Sequence, residues 1–213
     1  MAKPSPKEAK EAKEEGRQSE SFRALKRVGE EGKASVADLA IRPAKDEDME
    51  AVAAIYAHHV LYGNGSFETE PLAAEEMKRR RAAVVERGLP YLVAEAEGAI
   101  LGYAYATPYR TRAAYRNTVE NSVYVRADLA RRGIGRRLLE TLIRECEKEG
   151  FRQMVAVVGD SANLASIRLH LALGFRLVGT LSAVGRKHGL WLDTVLLQRV
   201  LGPGEKTAPA DES

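Results

Sequence analysis

The sequence has a single cysteine, Cys146, and no long apolar run free of charged residues. One cysteine excludes an internal disulfide, and its place on the apolar side of a predicted helix favours a buried structural thiol over a nucleophile. A membrane span needs about 20 consecutive apolar residues, so no membrane association is expected. The first residues lack the apolar core of a secretory signal, and a cytoplasmic location is therefore predicted.

The charge is also nearly balanced, because 33 basic residues stand against 30 acidic ones and leave a net charge of +3. This excess is too small to favour nucleic-acid binding. The potential ligand residues are not clustered at metal-binding spacing, so no metal site is predicted. Two phosphate motifs are incomplete: arginines follow Gly135 where a Walker loop needs Lys and Ser or Thr, and a dinucleotide fingerprint needs a third spaced glycine.

Composition divides the 213 residues into one core-bearing domain between two tails. Residues 1–36 mix charged and small residues with few large apolar side chains, and residues 202–213 begin with Gly-Pro-Gly; both segments are predicted to be disordered. A partner-binding or nucleic-acid-binding arm is the alternative for the first tail. Residues 37–201 are long enough for one domain with its own core.

Apolar periodicity within this domain predicts an α/β (α+β) fold. Strands are predicted at 38–42, 91–96, 100–107, 118–125, 154–158, 176–181 and 194–200. Helices are predicted after Asp46, over 70–87, from 134 until Gly150, and over 163–173. A hairpin before a strand–helix–strand unit does not suggest a regular doubly wound sheet.

The most informative segment runs from residue 121 to 139, where a strand leads through a basic glycine loop into an amphipathic helix. Gly133 and Gly135 allow backbone N–H groups to converge, and the start of a helix adds a partial positive charge. Arginines around the loop can donate charge-assisted hydrogen bonds to phosphate. The segment therefore predicts a pyrophosphate site; an ordinary loop before a helix is the alternative.

Residues 123–125 followed by 131–135 resemble the acetyl-CoA-binding signature of the GNAT N-acetyltransferases. Segments 67–71, 110–115, 118–125, 166–170 and 187–191 are similar, in order and spacing, to the phosphinothricin (methionine sulfoximine/sulfone) acetyltransferase branch. The resemblance covers about residues 38–200. It implies a mixed, mostly antiparallel sheet flanked by helices, with a splayed pair of central strands that admits acetyl-CoA. It also implies a homodimer.

The resemblance further implies which residues form the site. Glu120 corresponds to the catalytic base, and His170 stands where many GNAT enzymes have a tyrosine that protonates the departing thiolate; Tyr124 could polarise the thioester or bind substrate. The implied acetyl-CoA contacts are Val123, Val125, Arg131, Arg132, Gly133, Ile134, Gly135, Arg136, Asn163 and Ser166. The implied substrate contacts are Phe67, Arg110, Arg112 and Tyr115.

Structural alternatives exist for several of these residues. Glu120 could be a solvent-facing strand acid, His170 a packed helical histidine and Tyr124 a core tyrosine. Asn163 could cap the helix that follows it, and that role is compatible with cofactor contact. Ala130 replaces the Gln or Arg usual at the first position of the signature, so phosphate contacts there would depend on the backbone.

Together these features predict an acetyl-CoA-dependent N-acetyltransferase. The acetyl group would move to the amine of a small amino-acid-like substrate, such as phosphinothricin or methionine sulfoximine, by direct attack in a ternary complex. A peptide or protein N-terminal acetyltransferase is one alternative. A non-catalytic CoA-binding sensor is another, although the presence of both Glu120 and His170 argues against it.

Overall fold

A mixed sheet of seven strands forms the centre of the protein in the computed structural model, which describes residues 38–209. The strands are β1 (Ala40–Pro43), β2 (Tyr91–Ala96), β3 (Ala99–Pro108), β4 (Thr118–Val125), β5 (Gln153–Gly159), β6 (Arg176–Lys187) and β7 (Leu190–Val200). Their order in space is β1-β2-β3-β4-β5-β7-β6. Only β4 and β5 pair in parallel, so the predicted α/β (α+β) class with a mostly antiparallel sheet is confirmed.

Helices cover both faces of the sheet. They are α1 (Met49–Tyr62), α2 (Ala74–Val85), α3 (Ile134–Lys148) and α4 (Leu164–Ala172). Tyr56 of α1 contacts the ring of Tyr124, whereas Leu138 of α3 lies over Gly102, the partner of Val125. Because neighbouring strand residues point to opposite faces, α1 and α3 lie on opposite sides of the sheet.

The central strands β4 and β5 separate halfway along their length. They pair from Thr118 and Gln153 only as far as Asn121 and Ala156. Beyond that point β4 continues beside β3, and β5 continues beside β7. The opening expected between two splayed strands is therefore present, with backbone groups of both strands along its sides.

The last two strands extend beyond the predicted 176–181 and 194–200, so the connection between them, for which no strand is predicted, is reduced to a tight turn. His188 and Gly189 both have positive φ, 49° and 77°, and Lys187 pairs directly with Leu190. Two successive left-handed residues form the turn that suits the twist of a two-residue hairpin. The flanking residues, expected in a loop, are therefore held in the sheet.

Helix α2 begins at Ala74, later than the predicted start near residue 70. Ala73 before it is still extended, and Glu75 and Glu76 occupy the first turn. Acidic side chains stabilise the positive end of a helix, so these residues fix the start better than Pro71 does.

Both chain ends limit what can be compared with the predicted tails. The predicted disordered segment 1–36 lies outside the described residues. From the second predicted tail, residues 202–209 are described, and Arg152 donates hydrogen bonds to Gly204 O, Thr207 Oγ1 and Ala208 O. Within residues 38–209, no helix has the length and apolar character that crossing a membrane requires.

Candidate active site

Two adjoining cavities open where β4 and β5 separate. The large cavity has a volume of about 730 Å³ and lies between β4, β5, the N-terminal turn of α3 and α4. The Glu120 cavity, of about 380 Å³, lies on the α1 side of the sheet. The walls that the two cavities share are Gly65, Ser122, Tyr124, Val157 and Gly159. Groups bound in the two cavities would therefore meet beside the splayed strands.

The loop before α3 forms one end of the large cavity. Gly133 has a φ of 82°, which glycine adopts without steric strain, and it immediately precedes the first turn of α3. The first N–H groups of a helix lack intrahelical partners and carry a partial positive charge. The loop residues that line the cavity are Ala130, Arg131, Gly133, Ile134, Gly135 and Arg136. This end of the cavity fits an anionic group such as a pyrophosphate.

Most of the predicted cofactor contacts lie together in the large cavity. Besides the loop residues, Val123, Val125, Asn163 and Ser166 line it. Arg132 is exposed and is not part of the wall. Asn163 also caps α4, because its side-chain oxygen accepts a hydrogen bond from the Ser166 N–H at 3.3 Å. Asn163 thus has the capping role considered from the sequence and also lies on the cavity wall.

Glu120 faces the Glu120 cavity from β4 and is half-buried. Burial raises the pKa of its carboxyl group above the usual value, and the positive charge of Arg110 partly opposes this rise. A carboxylate that is made more basic and opens into a cavity is suited to accept a proton. This position does not match the alternative of a fully solvent-facing strand acid.

His170 lies on the other face of β4 from Glu120, where it contacts the adjacent residue, Asn121. His170 Nε2 lies 3.0 Å from Asn121 Oδ1, and Asn121 Nδ2–H donates to Val155 O at 3.0 Å. Asn121 thus bridges β4 and β5 at their last paired position.

The second ring nitrogen of His170 also has partners within the protein. His170 Nδ1 lies 2.8 Å from the carbonyl oxygen of Ser166 and 3.5 Å from its hydroxyl. Burial lowers the pKa of His170, although the bond to the Ser166 carbonyl opposes that shift. A neutral imidazole carries one N–H, so His170 donates to one of these two oxygens, and its contacts within the protein favour an orienting role over that of a freely available acid.

Tyr124 stands where the two cavities meet. Its ring contacts those of Tyr56, Tyr103 and His59 at centroid distances of 5.2, 5.2 and 5.4 Å. Burial raises the pKa of the Tyr124 hydroxyl well above its usual value, so the hydroxyl stays protonated. A protonated hydroxyl in this place can donate a hydrogen bond to a group at the junction.

The predicted substrate residues are divided between two regions. Phe67 lines the Glu120 cavity. Arg110, Arg112 and Tyr115 are exposed and line neither cavity; Arg110 lies over the ring of Tyr109 at 5.0 Å. Of these three exposed residues, Arg110 is linked to the Glu120 cavity through its charge effect on Glu120.

Some wall residues were not predicted as site residues. Tyr56 and Ser66 form a hydrogen bond of 2.8 Å beside the Glu120 cavity, and Glu68 and Thr194 complete that wall. His59 lines the large cavity, and its Nε2–H donates to Val125 O at 2.8 Å. His59 follows Tyr56 by three residues on the apolar side of α1, a spacing that could have indicated its position.

The described part of the chain, residues 38–209, contains no group of three or more His, Cys, Asp or Glu residues placed to hold a metal ion. The arrangement combines an anion-binding helix start, a strand opening and a carboxylate of raised pKa. Residues 52–175 match the model of the Acetyltransferase (GNAT) family. The chain belongs to this family and is an N-acetyltransferase.

Individual relatives confirm the predicted branch. The chain is 54% identical over 169 residues to phosphinothricin N-acetyltransferase of Alcaligenes faecalis, covering 79% of this chain and 86% of the relative. It is 38% identical over 170 residues to L-methionine sulfoximine/L-methionine sulfone acetyltransferase of Pseudomonas paraeruginosa, covering 79% and 98%. Its fold is similar to the crystal structure of a phosphinothricin acetyltransferase from Sinorhizobium meliloti in complex with AcCoA, with a TM-score of 0.79, 44% identity, and coverage of 81% and 94%.

Proposed function

We propose that the protein transfers the acetyl group of acetyl-CoA to the amine of a small amino-acid-like substrate. The observation that carries this proposal is the junction of the two cavities at the splayed strands. The large cavity ends at the N-terminal turn of α3, which suits the pyrophosphate of CoA, and the Glu120 cavity supplies a base. The similar S. meliloti structure is a complex with AcCoA, which supports the same assignment.

The chemistry requires a neutral amine, an electrophilic acetyl group and a path for one proton. Acetyl-CoA supplies the acetyl group as a reactive thioester. Glu120 accepts the proton that the amine loses as its nitrogen attacks the carbonyl carbon, directly or through a water molecule. Tyr124 donates a hydrogen bond at the junction, where negative charge develops on the carbonyl oxygen. The new C–N bond replaces the C–S bond, and CoA leaves as a thiolate that takes its proton from water, while Glu120 returns the amine proton to solvent.

The residues around the large cavity hold and orient acetyl-CoA and take no part in bond formation or cleavage. The N–H groups at the start of α3, with Arg131 and Arg136, bind the pyrophosphate. Val123 and Val125 present backbone groups to the pantetheine arm in the manner of an added strand. His170 fixes Asn121, and thereby the point at which the strands separate.

The names of the relatives support an amino-acid-like substrate. Phosphinothricin and methionine sulfoximine are the acceptors named for proteins 54% and 38% identical to this chain. Both compounds combine an amine with anionic or polar groups. Phe67 would contact the acceptor in the Glu120 cavity, and Arg110, Arg112 and Tyr115 would recognise its anionic group.

The proposal includes a homodimer in the cytoplasm. β6 ends the sheet and exposes Leu177, Val178, Leu181 and Val184, and the first residues of β7, Leu190 and Trp191, are exposed beside it. An edge strand with many apolar side chains suits pairing with a second copy. A buried free thiol at Cys146 fits a reducing compartment. We expect a monomer from Leu181→Asp in analytical ultracentrifugation, and a dimer from the wild-type protein.

The test is release of free CoA thiol by purified protein with acetyl-CoA and one acceptor at a time. The acceptors are phosphinothricin, methionine sulfoximine, methionine sulfone, ordinary amino acids and short peptides. Saturable turnover on the first three supports the proposal. Turnover on peptides alone would move the substrate to polypeptide amino termini, and acetyl-CoA binding without thiol release would indicate a sensor.

A further inference from the structure

Lys187 is unusual among the charged residues of the described chain because only 4% of its surface is exposed. Its Nζ donates hydrogen bonds to Ser66 O at 2.7 Å and to Gly63 O at 2.8 Å. Both acceptors are backbone carbonyls rather than carboxylates. A buried ammonium group is costly unless it is well bonded, so this arrangement needs a structural reason.

The hairpin turn determines where Lys187 lies. Lys187 is the last residue of β6, it pairs with Leu190, and the two positive-φ residues His188 and Gly189 close the turn. Most of the other β6 residues are exposed. The turn thus fixes the register that places one lysine of an exposed edge strand inside the protein.

The two carbonyls belong to the acceptor loop, defined here as residues 63–67. This loop follows α1 directly, and Gly63 is the residue at which the helix ends. A cation near the C-terminus of a helix interacts favourably with its unpaired carbonyls. Lys187 therefore satisfies backbone groups in a segment that has neither helix nor strand partners of its own.

The acceptor loop forms one side of the Glu120 cavity through Gly65, Ser66 and Phe67. Two glycines make room for the loop. A Cβ on Gly185 would overlap the Phe67 ring, and a Cβ on Gly159 would lie 2.7 Å from Asn64 O. The loop therefore fits closely against β5 and β6, and its position sets the shape of the cavity.

We propose that Lys187 is a positioning residue for the acceptor substrate, acting through the acceptor loop. By holding the carbonyls of Gly63 and Ser66, it keeps Phe67 against β6 and keeps the Glu120 cavity in the shape that admits the amine. Lys187 itself lines neither cavity and takes no part in proton transfer. This inference rests on the proposed function only for the identity of the bound molecule.

The first test compares Lys187→Met with Lys148→Met. Lys148 is exposed on α3 and pairs with Glu145, so its replacement serves as a matched control for loss of one charge. We expect the first substitution to raise KM for the amine by on the order of 10-fold or more, because two charge-assisted hydrogen bonds are lost. The dissociation constant of acetyl-CoA should stay within about twofold, and the control should change neither quantity.

A double-mutant cycle with Phe67→Ala shows whether Lys187 acts through the loop. If it does, replacing Lys187 raises KM much less once the Phe67 ring is absent. Gly185→Ala disturbs the same ring from β6 and should raise the same KM even if the lysine variant folds poorly. Additive effects in the cycle, an unchanged KM, or an equal loss of acetyl-CoA affinity would overturn the proposal.

Hydrogen–deuterium exchange gives a readout that needs no substrate. Amides of residues 63–68 should exchange faster in Lys187→Met and at the wild-type rate in Lys148→Met. Unchanged exchange would refute the positioning role. Absence of thiol release by the wild-type protein on every acceptor would instead refute the proposed function, so the two failures can be told apart.

Discussion

Replacing each of two glycines beside the large cavity by alanine should have different effects on stability and on acetyl-CoA binding. Gly133 has a φ of 82°, and a Cβ there would meet no atom within 4 Å. The penalty for Gly133→Ala is therefore conformational, about 1–2 kcal/mol for a left-handed non-glycine residue. The lower entropy of the unfolded alanine chain offsets about 0.4–1 kcal/mol of it. We expect a net loss of about 1 kcal/mol, together with weaker acetyl-CoA binding as the loop adapts.

Gly135 is part of α3, and its replacement should leave stability intact. A Cβ there would lie 3.5 Å from Leu169 Cδ2 and from Val125 Cγ2, which are ordinary contact distances. Alanine also favours helix by up to about 1 kcal/mol over glycine. The added methyl group would, however, occupy the space between α4 and β4 that forms part of the large cavity. We expect Gly135→Ala to weaken acetyl-CoA binding by roughly 10-fold without loss of stability.

Gly150 provides the matched control. It has the same φ of 82°, and a Cβ there would likewise meet no atom within 4 Å, but it follows the C-terminal end of α3. Gly150→Ala should lose about 1 kcal/mol of stability and keep wild-type acetyl-CoA affinity. Urea unfolding gives the stabilities, and isothermal titration calorimetry gives the affinities. Tight acetyl-CoA binding by Gly135→Ala, or equal weakening by Gly133→Ala and Gly150→Ala, would refute this reasoning.

The remaining predictions concern β4 and its neighbours. Glu120→Gln should lower kcat by about 10²- to 10⁴-fold and leave the acetyl-CoA dissociation constant within about twofold, as measured by thiol release and calorimetry; a matching loss of affinity would point to a structural role. The positive charge of Arg110 lowers the pKa of Glu120. In Arg110→Gln the pKa of Glu120 should therefore rise, and the acid limb of the kcat/KM profile should move to higher pH. If the acid limb does not move, the charge of Arg110 does not influence the pKa of Glu120. Asn121→Ala removes the bonds to Val155 and His170 and should lower the free energy of unfolding by about 2 kcal/mol in urea titrations; a loss below about 0.5 kcal/mol would contradict the bridging role.

Most of the fold is predictable from the sequence, because the signals are local. The apolar spacing along α3 and the strand over residues 118–125 agree with the structure. The hairpin at His188 and Gly189 is not predictable in this way, since left-handed geometry at a histidine is uncommon and does not show in apolar periodicity. The predicted start of α2 is too early because Pro71 is a weaker boundary signal than the acids after Ala73.

The site is predictable in part, for reasons that lie in the topology. The strand period already places Glu120 and Asn121 on opposite faces of β4, so Glu120 and the partner of Asn121, His170, cannot share one face. The link between Lys187 and the loop at Ser66 spans more than a hundred residues and has no local pattern. Long-range contacts of this kind depend on how the strands are ordered in the sheet, which the sequence alone does not determine.

The most direct test of the central claim follows the acetyl group itself. Acetyl-CoA labelled with ¹³C at the acetyl carbonyl is incubated with the protein and phosphinothricin, and the products are observed by NMR and mass spectrometry. The account predicts that the label moves from the thioester to an amide on the acceptor amine, with one CoA thiol released for each amide formed. Label that remains in the thioester, or leaves only as acetate, would contradict it.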